Sequence, residues 1–225
     1  MIKVELKNAS KIYPRGKEKV YALDNCNLKV EKGDFISIMG PSGSGKSTLL
    51  KAIATSLILS DGDVYINNNA VGEMDDADKS LLRAKEVGYI VQNFMLLPNE
   101  TVYENIRLPL VYNKSIPRSE HRQRVEKYAE KLGISPLLRS KAKDISGGES
   151  QRVAIARAIC GDQEIVLADE PTGALDTDNR EVIMDLFNML NKELGKTIIV
   201  VTHDEFVAEQ CEKHFTMHDG VLSEA

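Results

Sequence analysis

The 225-residue sequence predicts an α/β fold: a parallel sheet with helices against it, an antiparallel β layer near the N-terminus and an inserted helical subdomain. Three observations predict it. Apolar runs at residues 35–39, 165–168 and 197–201 have the length and composition of strands buried on both faces. Strand patterns crowd the first third of the chain, whereas strands and helices alternate toward its end. The stretch from about residue 93 to 158 carries helical patterns alone.

Taken in order, residues 3–6 alternate apolar and charged side chains, the period-2 pattern of a half-buried strand. Further strands are expected at 28–30, 35–39, 63–66, 87–91, 165–168, 197–201 and 215–218. Helices are expected at 46–55, 102–110, 118–132, 150–160, 179–193 and 205–210. The apolar run 49–59 is interrupted by Lys51 and reads as a helix with one buried face. No run approaches the roughly 20 residues needed to span a bilayer, and the first residues carry no signal-peptide core. The expected organisation is one domain over residues 1–225, with a core lobe at about 1–92 and 159–225 and a helical lobe at about 93–158.

Lys and Arg number 29 against 34 Asp and Glu, a formal net charge of −5. That argues against a dedicated nucleic-acid binder, which needs a basic surface to neutralise phosphates. Cys26, Cys160 and Cys211 are widely separated and form no CxxC pair, so reduced, idle thiols of a cytosolic protein are expected.

The strongest local signal is Gly40-Pro41-Ser42-Gly43-Ser44-Gly45-Lys46-Ser47-Thr48, which fits G-x-x-x-x-G-K-[ST] between a buried strand and a helix. Its glycines let the backbone curl so that successive N–H groups aim at phosphate oxygens, and the helix start adds positive potential. Lys46 is expected to meet the β- and γ-phosphates and Ser47 to ligate Mg²⁺. This motif selects a nucleoside triphosphate without choosing a reaction. A second signal, Ile165-Val166-Leu167-Ala168-Asp169-Glu170, is an apolar strand ending in two carboxylates. Such acids lie where the nucleotide crevice of an open α/β sheet forms. Asp169 is expected to hold Mg²⁺, and Glu170 to orient and deprotonate the attacking water.

Ile145-Ser146-Gly147-Gly148-Glu149-Ser150-Gln151-Arg152 separates transport ATPases from other proteins with these two motifs. It resembles the signature sequence of the ATP-binding cassette (ABC) family, and Ser146 precedes Asp169 by 23 residues. The remaining motifs of that family follow in order. Tyr13 matches the aromatic residue that stacks on adenine, and Gln92 the glutamine that touches Mg²⁺. Ala174-Leu175-Asp176 matches the loop that crosses the dimer interface, and His203 the histidine that senses the γ-phosphate. The resemblance spans essentially the whole chain. It implies an ATPase in which two subunits sandwich two ATP molecules head to tail. Ser146, Gly147, Gly148 and Glu149 would then serve the partner's nucleotide, and Gln92, Lys46 and Mg²⁺ would stabilise the transferring phosphoryl group. Ile145, Glu149 and Ser150 depart mildly from the signature; they bear on rate or a regulatory contact.

Asn93-Phe94-Met95-Leu96-Leu97-Pro98, continuing through Leu108-Pro109-Leu110, is similar to the branch holding macrolide-export, lipoprotein-release, antimicrobial-peptide-resistance and cell-division ATPases. In that branch this segment docks a coupling helix of the permease; Phe94 to Leu97 could equally fill the helical lobe's own core. The resemblance implies a second ABC subunit, in a homodimer with ATP, and an integral membrane permease as partners. It implies no nucleic acid, and a cytoplasmic location on the inner face of the membrane. Export or extraction of peptides, drugs or lipoproteins is the expected role. The alternative is a regulatory ATPase that signals through a membrane partner without transport.

Overall fold

The computed structural model describes residues 1–16, 18–173 and 175–225, with Arg15 described by its backbone. The chain opens with two long strands, β1 (Ile2–Arg15) and β2 (Glu18–Glu31), followed by β3 (Phe35–Met39) and helix α1 (Lys46–Ile53). Strands β4 (Asp61–Ile66) and β5 (Asn69–Ala70), helix α2 (Asp76–Glu86) and strand β6 (Val87–Ile90) come next. Helices α3 (Val102–Tyr112), α4 (His121–Lys131) and α5 (Gly147–Ile159) precede β7 (Ile165–Asp169) and α6 (Thr177–Lys192). The chain closes with β8 (Thr197–Thr202), α7 (Glu205–Glu209), β9 (Lys213–His218) and β10 (Val221–Glu224).

The strands form two sheets. An antiparallel sheet has the order β2-β1-β4-β5, and a six-stranded sheet the order β10-β9-β3-β8-β7-β6. In the larger sheet β9, β3, β8, β7 and β6 run parallel, and β10 pairs antiparallel with β9. The α/β class expected from the sequence is therefore the class found, including the antiparallel layer.

Alternation along the central strands decides which face each side chain serves. Ile165, Leu167, Ile199 and Val201 pack with Val4, Leu6, Leu28 and α1 residues Leu49, Leu50 and Ile53, under the antiparallel sheet. Val166, Ala168, Ile198 and Val200 point the other way, into a cluster with Val102, Ile106, Val125, Ile155, Ile159 and Phe187 of the helices. Burial on both faces is why these strands read as continuous apolar runs. Helix α5 approaches β6 closely at Gly88, where an added Cβ would lie 2.0 Å from the Ala158 carbonyl oxygen. Gly88→Ala is expected to cost about 1–3 kcal/mol through forced displacement of α5; a urea melt with an unshifted midpoint would show that the helix yields freely.

Three elements escape the sequence reading, the first of them the two-residue strand β5, which is too short to carry a pattern. Helix α2 has no fully buried residue and packs against the core through partly buried Leu82, and Asp75 caps it by accepting from the Asp78 N–H at 2.8 Å. Strand β10 is exposed along most of its length and is specified by pairing with β9. Strands β1 and β2 are also longer than expected, because their distal halves are exposed and lack alternation.

Candidate functional site

Four adjacent parallel strands end at the same edge of the sheet. β3 runs into the 40–48 loop, β8 into His203, β7 into Asp169 and Glu170, and β6 toward Gln92. The register makes this edge level, with Met39 beside Thr202 and Asp169 beside Val201. A cavity of about 640 Å³ opens there, lined by the phosphate loop with Gln92, Asp169, Glu170 and His203. Its volume is that of a small-molecule site, and its place is the crevice beyond the strand C-termini.

The loop is shaped by glycine. Gly43 and Gly45 have φ of +82° and +111°, a region that side chains avoid. An added Cβ at Gly45 would lie 2.1 Å from the Ala22 carbonyl oxygen, so this glycine also permits close packing. Lys46 is nearly buried and donates to the carbonyls of Gly40 at 2.6 Å and Pro41 at 2.9 Å. These are weak partners for a buried ammonium, which a phosphate oxygen would satisfy better. Ser44 Oγ is buried without a hydrogen-bond partner beside the loop. A loop with an underused cation, an orphaned hydroxyl and an open helix start fits a polyphosphate.

Ser47 donates to Asp169 Oδ1 at 3.2 Å, and Tyr89 OH donates to Asp169 Oδ2 at 3.4 Å. Burial pushes the Asp169 carboxyl above its ordinary range, partly offset by the Ser47 hydrogen bond. A cation beside it would reverse that shift. Among the described residues no group of three His, Cys, Asp or Glu side chains converges to hold a metal by itself. The paired oxygens of Ser47 and Asp169 fit a hard divalent ion that takes its other ligands from phosphate and water.

Glu170 has φ +48°, an uncommon conformation for a non-glycine residue that costs on the order of 1–3 kcal/mol. Its backbone N–H donates to the Val201 carbonyl at 2.9 Å, which ties it to the end of β8. His203 Nδ1 lies 2.8 Å from Glu170 Oε1, and Thr202 Oγ1 donates to Oε2 at 3.2 Å. The strained backbone thus aims a carboxylate into the cavity with both oxygens held.

Other expected residues lie elsewhere. Tyr13 sits opposite Val20 on the β1–β2 hairpin; Val20 and Tyr21 line the cavity, and Tyr13 is outside the lining. Ser146, Gly147, Gly148 and Glu149 form the start of α5, away from the cavity lining. Ser146 Oγ accepts from the Glu149 N–H at 3.3 Å, and Glu149 Oε2 accepts from the Ser146 N–H and hydroxyl, both at 2.8 Å. The hydrogen bond from the Ser146 N–H holds the Glu149 carboxyl below its usual range. Asp176 caps α6, accepting from the Asn179 N–H at 2.9 Å. An added Cβ at Gly148 would lie 2.3 Å from Asn179 Oδ1, so glycine lets the starts of α5 and α6 touch. Ala174 lies outside the described residues.

Met95 and Leu97 are exposed, while Phe94 and Leu96 are partly buried and Leu96 packs against the helical cluster. The run 94–97 therefore divides between surface and core. Sequence reasoning missed Tyr89, Thr202, Asn105 and Arg157. Asn105 is fully buried, accepts from the Leu97 N–H at 2.7 Å and donates to the Leu97 carbonyl at 3.1 Å. A polar residue amid an apolar helix was the signal that could have revealed it.

Fold and site together define a nucleotide-binding ATPase cassette. The model of the family described as ABC transporter matches residues 23–173, and the chain belongs to that family as an ABC-type ATPase. It is 43% identical over 220 residues to the ABC transporter ATP-binding protein MJ0796 of Methanocaldococcus jannaschii, covering 96% of this chain and 94% of the relative. The lipoprotein-releasing system ATP-binding protein LolD of Saccharophagus degradans is 39% identical, with 96% and 94% covered. The macrolide export ATP-binding/permease protein MacB of Bdellovibrio bacteriovorus is 36% identical over 97% of this chain and 33% of its own length. LolD and MacB place the chain in the branch its sequence resembles. The dimeric structure of the MJ0796 cassette superposes with a TM-score of 0.90 at 41% identity, with 98% of each chain covered. A second dimeric structure of that cassette, a post-hydrolysis state bound to ADP and Pi, matches with the same TM-score of 0.90.

Proposed function

We propose that this chain is the ATP-driven motor of a membrane export or extraction system, closing head to tail with a second copy and powering a separate permease. One observation carries the reading: four strand ends build a polyphosphate cavity, while the Ser146 helix start, a second feature suited to an anion, lies outside its lining. One chain has no use for both on one nucleotide, but two antiparallel copies do. The dimeric MJ0796 cassettes support that arrangement. The segment 93–158 then acts as a lobe that presents Ser146, Gly147, Gly148 and Glu149 to the partner's ATP, and Asp176 lies at the same interface. The names of LolD and MacB, a lipoprotein-releasing system and a macrolide export protein, support coupling to a permease. No helix among the described residues is long and apolar enough to cross a membrane, so a partner would supply the membrane path.

In this reading Tyr13 stacks on adenine beside Val20 and Tyr21. Lys46 exchanges its bonds to Gly40 and Pro41 for the β- and γ-phosphates, and the loop N–H groups of residues 40–48 cradle the rest. Mg²⁺, when bound by Ser47, Asp169 and Gln92, supplies charge neutralisation and orientation of the phosphoryl group. Glu170 orients a water and accepts its proton as ATP becomes ADP and phosphate. His203 holds the Glu170 carboxylate at 2.8 Å and is placed to register the γ-phosphate.

The test of the head-to-tail arrangement is Ser146→Arg. It is expected to abolish the ATP-dependent dimer that accumulates when hydrolysis is blocked by Glu170→Gln. ATP affinity of the monomer should stay within about twofold, since Ser146 is outside its own cavity. Light scattering and nucleotide titration read the two quantities; loss of monomer ATP binding would move Ser146 into the chain's own site. Purification of Glu170→Gln with Mg²⁺-ATP from solubilised membranes tests the permease. Recovery without a membrane protein would remove the motor role, and a small partner bound to cell-wall enzymes would favour the regulatory one.

A further inference from the structure

The loop after Gln92 is bent in an unusual way. Phe94 and Met95 are consecutive non-glycine residues in the left-handed region, with φ of +57° and +47°. Each such residue costs on the order of 1–2 kcal/mol, so the conformation persists where the surroundings over-determine it. Local hydrogen bonds contribute: the Phe94 N–H donates to the Val91 carbonyl and the Met95 N–H to the Asn93 carbonyl. They leave the carbonyls of residues 94 and 95 turned to one side. There the Arg157 guanidinium donates to both, at 2.7 Å to Met95 O and 2.5 Å to Phe94 O.

The Arg157 guanidinium has no other hydrogen-bond partner and no acidic partner among the described residues. Burial lowers its pKa, so its charge is partly desolvated and compensated by these two carbonyls. An arginine serving the stability of α5 alone would gain more by extending its guanidinium into solvent. Its fork geometry matches two adjacent carbonyls, which a lysine ammonium serves less well. Arg157 also lies in the same helix whose first turn carries Gly147 and Gly148.

We propose that Arg157 is a positioning residue for hydrolysis: its guanidinium clamps the carbonyls of Phe94 and Met95 and so holds Gln92 at the nucleotide cavity, linking α5 to the glutamine loop. The inference rests on the proposed role of Gln92, and it assigns that role's geometry to a residue outside the cavity.

The test uses Arg157→Lys, Gln92→Ala and the double variant in the full chain. Arg157→Lys keeps charge and helix propensity and gives up the two-pronged bond, so a lowered turnover of about tenfold is expected from loss of a charged hydrogen bond. ATP affinity without Mg²⁺ should stay within about twofold, and the free Mg²⁺ needed for half-maximal turnover should rise. The double variant should be no slower than Gln92→Ala, because both changes act through one loop. Amide exchange should rise in residues 93–97 and stay unchanged in α5. Wild-type turnover in Arg157→Lys, multiplied losses in the double variant, or faster exchange throughout α5 would each overturn the inference. Full activity of Gln92→Ala would instead overturn the role of Gln92, while exchange in residues 93–97 would still judge the clamp.

Discussion

Glu170→Gln is expected to lower the rate of phosphate release by about 10²–10⁴-fold, the usual worth of a positioned general base. The amide keeps the size of the side chain and can still accept from Thr202, so the strained backbone at φ +48° has no new reason to relax. What disappears is the basic oxygen now held 2.8 Å from His203 Nδ1. ATP affinity should therefore change little, and the ATP-bound dimer should persist. Single-turnover measurements with purified protein decide the matter. Hydrolysis at the normal rate would move the base elsewhere, with His203 the next residue to replace.

Lys46→Ala is expected to act on binding itself. Lys46 donates to the Gly40 and Pro41 carbonyls, and these bonds shape the loop. Exchange of those neutral carbonyls for phosphate oxygens adds a full opposite charge on the acceptor side, which strengthens the bonds of the ammonium. Their loss should weaken ATP affinity by about 10–100-fold, the equivalent of about 1.5–3 kcal/mol. The binding constant from equilibrium titration is the measurement, made beside a thermal melt because the two carbonyls lose their partner as well. Unchanged affinity in a folded variant would refute the phosphate-loop reading. The two variants are complementary: one should bind without turnover, the other should fail before turnover begins.

The class of fold was legible because the central strands are buried on both faces. That burial demands uninterrupted apolar runs such as residues 198–201, and it places Asp169 and Glu170 at a strand end where they can meet solvent. Strand β10 and helix α2 were not legible, since they bury little and are held by pairing and a cap. The same division runs through the site. The phosphate loop is a local device: its glycines, lysine and helix start lie within nine consecutive residues, so its chemistry can be read from them.

The sequence by itself determined the phosphate loop, the paired acids, the helix start at Ser146, and the continuous apolar runs that become the central strands. Each depends on residues close together in the chain, where backbone conformation and hydrogen bonding are local. Tertiary structure alone decided that β6, β7, β8 and β3 end side by side, so that Gln92, Glu170, His203 and Lys46 share one cavity. It also decided that Tyr21 and Val20 line that cavity, that Thr202 and His203 hold Glu170, and that Arg157 reaches across to Phe94 and Met95. Strand order and helix docking bring those groups together from distant parts of the chain, and no local pattern records which strand becomes whose neighbour.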